Sequence, residues 1–160
     1  IVSKHCLLGV AYLSLRGIAG LVPIGRLDVD LEGLLLFSND GAFVHRLSHP
    51  SFDVEKVYEV TVFGSARNSV LEKLNKGVSL GESIACANVS VIAESCKQGS
   101  TILRFVLHQG WNRQIRRMCG QVGLGVLRLK RVEVGKFKLG NIKIGCFEYL
   151  GREEVLDYLK

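Results

Sequence analysis

Apolar positions along this chain come in short blocks, separated by glycines and polar turns. Residues 33–38, GLLLFS, run unbroken up to Asn39-Asp40-Gly41, the pattern of a buried strand ending in a turn. Residues 42–47 predict a short helix that stops before Pro50. The stretch from Lys56 to Phe63, KVYEVTVF, alternates as a strand, and Tyr58 shares parity with Val60 and Val62, so its ring is expected to face inward. Residues 68–75 predict a helix with Val70, Leu71 and Leu74 on one side. Residues 84–93 and 101–108 predict two paired strands. The stretch from Asn112 to Val122 predicts a helix, and residues 125–150 predict two or three strands divided by glycines. Residues 153–159 predict a closing helix. Strands dominate without strict alternation with helices, so the expected class is α+β, a mixed and mostly antiparallel sheet flanked by helices.

The helix over 112–122 is the most charged element. Asn112 is the expected N-cap, and Ile115, Met118, Cys119 and Val122 define the buried face. At 3.6 residues per turn, Arg113 and Arg117 then point away from the core, while Arg116 lies on its flank. A guanidinium on that flank reaches partly buried space and needs an acidic partner there. The net charge of +6 is uneven: of 21 Lys+Arg and 15 Asp+Glu, residues 97–160 hold 13 and 5. Such polarity favours a polyanionic partner, and a solvated basic surface is the competing reading.

A second dense stretch, GRLDVDLEG, places Asp28, Asp30 and Glu32 on alternate positions before Gly33. These fit the first ligand positions of a calcium loop, but the ninth is Leu36 and the twelfth is Asn39, so the bidentate Glu is absent. What remains is a carboxylate between an apolar entry (Leu21, Val22, Ile24) and a buried strand, a usual setting for a reacting group. A solvated turn fits the pattern equally.

Five cysteines, Cys6, Cys86, Cys96, Cys119 and Cys146, are odd in number and widely spaced, which reads as reduced thiols rather than a disulfide framework or a zinc site. His45 and His49 have zincin-like spacing, but Arg46 stands where that motif needs Glu and Pro50 breaks the helix, so no metal is expected. No apolar run is long enough to span a membrane.

Taken together, Gly25-Arg26-Leu27-Asp28, Gly33-Leu34-Leu35-Leu36 with Asn39-Asp40-Gly41, Lys56-Val57-Tyr58, the run from Gly110 to Met118 (GWNRQIRRM) and Leu129-Lys130-Arg131 resemble, in order and spacing, the motifs of RsuA-like pseudouridine synthases. The resemblance covers roughly residues 22–150. It implies a single catalytic domain over 1–160 with the pseudouridine synthase fold, an atypical segment over 1–21 and no S4 module. It implies Asp28 as nucleophile, Tyr58 against the target base and Arg116 paired with Asp28. It further implies RNA contacts from Arg26, Lys56, Asn112, Arg113, Gln114, Arg117, Arg128, Lys130 and Arg131. Asp30 and Glu32 are read as loop structure rather than as catalytic acids. The implied partner is RNA, ribosomal RNA ahead of tRNA, with no cofactor, no metal and no membrane. The expected setting is a cytoplasmic monomer. Two departures stand out: Leu31 where the family usually has Thr, and Lys4-His5-Cys6 with Gly9 in place of a Lys-Pro-x-Gly segment. A non-catalytic RNA-binding module on the same fold is the first alternative, and a hydrolase using two of the three acids is the second.

Overall fold

The computed structural model describes residues 2–5, 18–81, 83–95 and 99–159. In chain order the elements are β1 (Val2–His5), β2 (Val22–Ile24), β3 (Glu32–Ser38), the helix Gly41–Ser48, a 3₁₀ turn (Pro50–Phe52), β4 (Lys56–Phe63) and the helix Asn68–Lys76. There follow β5 (Val78–Ser79), β6 (Ile84–Ala85), β7 (Asn88–Ser95), β8 (Ser100–Leu107) and the helix Gln114–Gln121. The chain closes with β9 (Val126–Val134), β10 (Phe137–Lys138), β11 (Phe147–Glu148) and the helix Arg152–Leu159. The α+β class is as expected. Of the N-terminal departure, Lys4 and His5 lie in β1, while Cys6 and Gly9 lie outside the described residues. No described helix is long and apolar enough to cross a membrane.

The contacts divide the chain into two compact units: Ile1–Val54 with Arg131–Lys160, and Glu55–Lys130. In the first, β3 pairs antiparallel with β1 on one edge and with β2 on the other, and β1 also pairs with β11. Leu34 and Leu36 join a core with Phe43, Leu47, Phe137 and Leu139, against which Tyr158 of the closing helix packs. Leu35 and Phe37 point the other way, into a cluster with Leu27 that Leu21, Leu31 and Phe147 complete. Burial on both faces explains why β3 is a continuous apolar run rather than an alternating one. The Asn39-Asp40-Gly41 motif is a helix cap: Asp40 Oδ1 accepts from the amides of Ala42 (2.9 Å) and Phe43 (3.1 Å).

In the second unit, β4 pairs antiparallel with β8 from Lys56↔Leu107 to Phe63↔Ser100, and β8 pairs antiparallel with β7. Tyr58, Val60 and Val62 are buried together, as alternation predicts. The helix Asn68–Lys76 buries Leu74, and the Asn75 side chain pairs with both backbone groups of Val89 in β7 (2.8 and 2.9 Å). The single strand expected over 84–93 is two: Ile84–Ala85 leaves to form a hairpin with Val78–Ser79 before β7 begins.

Candidate active site

Each unit carries part of the predicted constellation. In the first, the loop 25–31 is pinned at both ends. Leu27 is buried and Leu31 half-buried in the same apolar cluster, and the Leu31 amide donates to the Asp28 carbonyl at 3.0 Å, closing a four-residue turn. Leu31 therefore adds apolar packing at the position where the family usually has a hydroxyl. Asp28 is half-buried at the head of the turn, while Val29 (99% exposed) and Asp30 face solvent. Glu32 opens β3 rather than belonging to the loop.

Arg131 lies beneath this loop. It was expected to hold phosphate, but it is 5% exposed, and its Nε donates to the Leu34 carbonyl at 2.9 Å while Nη1 approaches the Arg26 carbonyl at 3.5 Å. A guanidinium buried on backbone carbonyls is structural: it satisfies acceptors that burial removes from water. Gly33 makes this approach possible. Its φ is +120°, and a Cβ there would overlap the Arg131 carbonyl and come within 2.6 Å of its amide nitrogen. Arg26 itself has an exposed side chain.

In the second unit, Tyr58 is 8% exposed and sits opposite Phe105. Lys56 is half-buried, with Nζ 3.4 Å from the His108 carbonyl. The basic helix begins two residues later than expected, at Gln114, and Asn112 is not its cap. Arg113 takes the N-cap position with φ +50° and does not cap the helix with its side chain, so Asn112 belongs to the preceding turn. Gln114, expected among the RNA contacts, is 4% exposed. Its Oε1 accepts from the Trp111 amide (3.2 Å) and its Nε2 donates to Gln109 Oε1 (3.0 Å), so it ties down the turn instead of facing a ligand. Asn112 and Arg113 are exposed. Ile115, Met118 and Cys119 are buried and Arg116 is half-buried, as the helical period predicts. Arg116 Nη1 is 3.5 Å from the Val126 carbonyl, and Arg117 Nη2 donates to the Leu80 carbonyl at 2.6 Å. Burial pushes the Cys119 thiol up to about 12 against a smaller opposing pull from Arg116, so it stays protonated and inert. Arg128 is exposed, and Lys130 Nζ lies 3.5 Å from Glu59 Oε2.

Among the described residues, no group of three or more His, Cys, Asp or Glu is placed to hold a metal ion. His49 Nδ1 instead accepts from the Ser51 amide at 3.2 Å.

The family model described as RNA pseudouridylate synthase matches residues 10–121. The chain belongs to this family. Among curated relatives, it is 37% identical over 145 residues to an uncharacterized RNA pseudouridine synthase of Mycobacterium leprae, covering 91% of this chain and 56% of that protein. It is 38% identical over 134 residues to the ribosomal large subunit pseudouridine synthase B of Bacillus subtilis, covering 83% and 55%. The chain thus spans little more than half the length of these relatives. A solved structure described as a pseudouridylate synthase superposes with a TM-score of 0.84 at 22% identity, covering 98% of this chain and 72% of that one, which shows the shared fold.

Proposed function

We propose that this member of the RNA pseudouridylate synthase family isomerises a specific uridine in RNA to pseudouridine, with ribosomal RNA as the substrate class. The observation that carries the reading is the family match over residues 10–121, which takes in the Asp28, Tyr58 and Arg116 motifs in order. The ribosomal target is supported by the similarity to the ribosomal large subunit pseudouridine synthase B of Bacillus subtilis. The reading places the protein in the cytoplasm as a monomer.

The roles proposed for the three residues come from family membership. An Asp28 oxygen bonds to C1′ of the ribose as the N1–C1′ bond breaks, and the bonding pair leaves with the uracil. The freed base turns within the site, C5 attacks C1′, and the carboxylate is released. The C5 proton passes to solvent and N1 takes up a proton, so nothing is oxidised or reduced. Tyr58 is assigned to lie against the base, and Arg116 to supply the counter-charge to Asp28. The target nucleotide has to leave its stack, which costs a few kcal/mol. Arg26, Lys56, Asn112, Arg113 and Arg117 are proposed to hold the RNA near the target, chiefly through phosphates.

The test is release of tritium from [5-³H]uridine in ribosomal RNA and in tRNA. Release from ribosomal RNA, with pseudouridine appearing in the product, supports the reading. Binding of both RNAs with no release from either supports the non-catalytic module instead.

A further inference from the structure

The sheet of the second unit has two unlike faces. Tyr58, Val60, Val62, Leu103, Phe105 and Leu129 are buried on one of them. The other buries Val57, Val106 and Ser100 but leaves Glu59, Thr61, Ile102 and Arg104 only half-buried. Glu59 pairs with Arg104, Thr61 with Ile102 and Phe63 with Ser100, so each pair shares that second face. The Phe63 amide donates to the Gly125 carbonyl at 2.8 Å, which brings the start of β9 beside the end of β4. Lys130 reaches Glu59 at 3.5 Å, so Lys130, and Arg128 two residues before it, lie on the same face.

The resulting surface is uneven in charge and chemistry. It presents three cations, Arg104, Arg128 and Lys130, and Glu59 is the one acid that the register places there among the described residues. Phe63 stands 69% exposed at its end, a ring with a free face. From β7 the register adds Asn88 and Ser90, exposed and small. An antiparallel sheet face carrying cations, hydrogen-bonding side chains and an exposed ring matches the chemistry of single-stranded RNA: phosphates take the cations and a base stacks on the ring. The excess of cations disfavours an apolar protein partner.

We propose that this face is a second RNA-contact surface, which takes a single-stranded segment of the substrate away from the target uridine. This rests on the reading above that the substrate is RNA. Glu59 and Tyr58 are consecutive in β4 and point to opposite faces, so Arg128 and Lys130 do not hold the segment whose base lies against Tyr58. Phe63 and Arg104 fall outside the family motifs.

The experiment measures binding of undermodified ribosomal RNA by the full chain as a function of salt, for wild type, Arg104→Gln with Arg128→Gln, and Phe63→Leu. The double variant is expected to bind about tenfold more weakly near 0.15 M salt, with a log–log salt slope shallower by about 1.4, two single-strand phosphate contacts. Phe63→Leu is expected to weaken binding about fivefold or more with its slope unchanged, because it removes stacking and no charge. Thermal unfolding of each variant checks that it is folded, and Arg128→Gln alone, at an exposed position, serves if the double variant is not. Affinity and slope equal to wild type in the folded variants would overturn the proposal while leaving the enzymatic reading intact. Wild-type protein that neither binds RNA nor releases tritium would overturn that reading itself.

Discussion

Replacing Arg131 with Lys separates a structural role from a phosphate-binding one, because it keeps the charge and removes the fork. In the structure the guanidinium is 5% exposed and bonds the Leu34 carbonyl at 2.9 Å through Nε. A hydrogen bond from a charged donor contributes about 1.5–3 kcal/mol, and its loss leaves a buried carbonyl unsatisfied. The lysine ammonium is more strongly hydrated than a guanidinium and costs more to bury. The 3.5 Å approach to the Arg26 carbonyl is at the limit of a hydrogen bond and adds little. The expected loss for Arg131→Lys is therefore about 2–4 kcal/mol, a large part of the roughly 5–15 kcal/mol that holds a domain together. Urea unfolding followed through the fluorescence of Trp111, the one tryptophan of the chain, measures it. A phosphate-binding Arg131 would tolerate Lys, so stability within about 0.5 kcal/mol of wild type would refute the structural assignment.

Gly33→Ala is expected to cost about 3 kcal/mol or more in the same assay, since it combines strain at φ +120° with overlap of the Arg131 backbone; a loss below about 1 kcal/mol would contradict that geometry. The buried Cys119 thiol holds its proton up to about 12 when folded and gives it up near its ordinary value of 9.0 when unfolded. The folded state therefore binds the extra proton between those values, and stability falls as pH rises from about 9 to about 12, with a shallower fall in Cys119→Ala. Under native conditions a thiol reagent is expected to modify the exposed Cys86 and Cys146 and to spare Cys119, read by peptide mapping.

Much of this architecture was legible because period and burial agree. β4 alternates from Tyr58 to Val62 and forms over the expected residues, and the unbroken run in β3 is buried on both faces. The misreadings have local causes. Asn112 before an apolar-periodic stretch has the signature of an N-cap, but the Gln114 side chain satisfies the Trp111 amide and the chain turns through a left-handed Arg113. The hairpin of β5 and β6 was hidden because its strands are two residues long, although Gly77 precedes it and Gly81 lies in its turn. Arg131 was read by its charge, when parity already told against phosphate: it sits two residues from Leu129 on one strand, and both point inward. Exposure of Phe63 had no signal in the sequence, because its position in an alternating strand does not say which face stays uncovered.

The most direct test of the account is the tritium-release assay run on Asp28→Asn beside Asp30→Asn and Glu32→Gln. Asn keeps the shape of the Asp28 side chain and removes its charge and nucleophilicity. The account predicts that release is abolished in Asp28→Asn, with RNA binding retained, and that the other two variants keep it within a few-fold of wild type. Release by Asp28→Asn at the wild-type rate, or its loss in Asp30→Asn or Glu32→Gln instead, would contradict the assignment of the chemistry to Asp28.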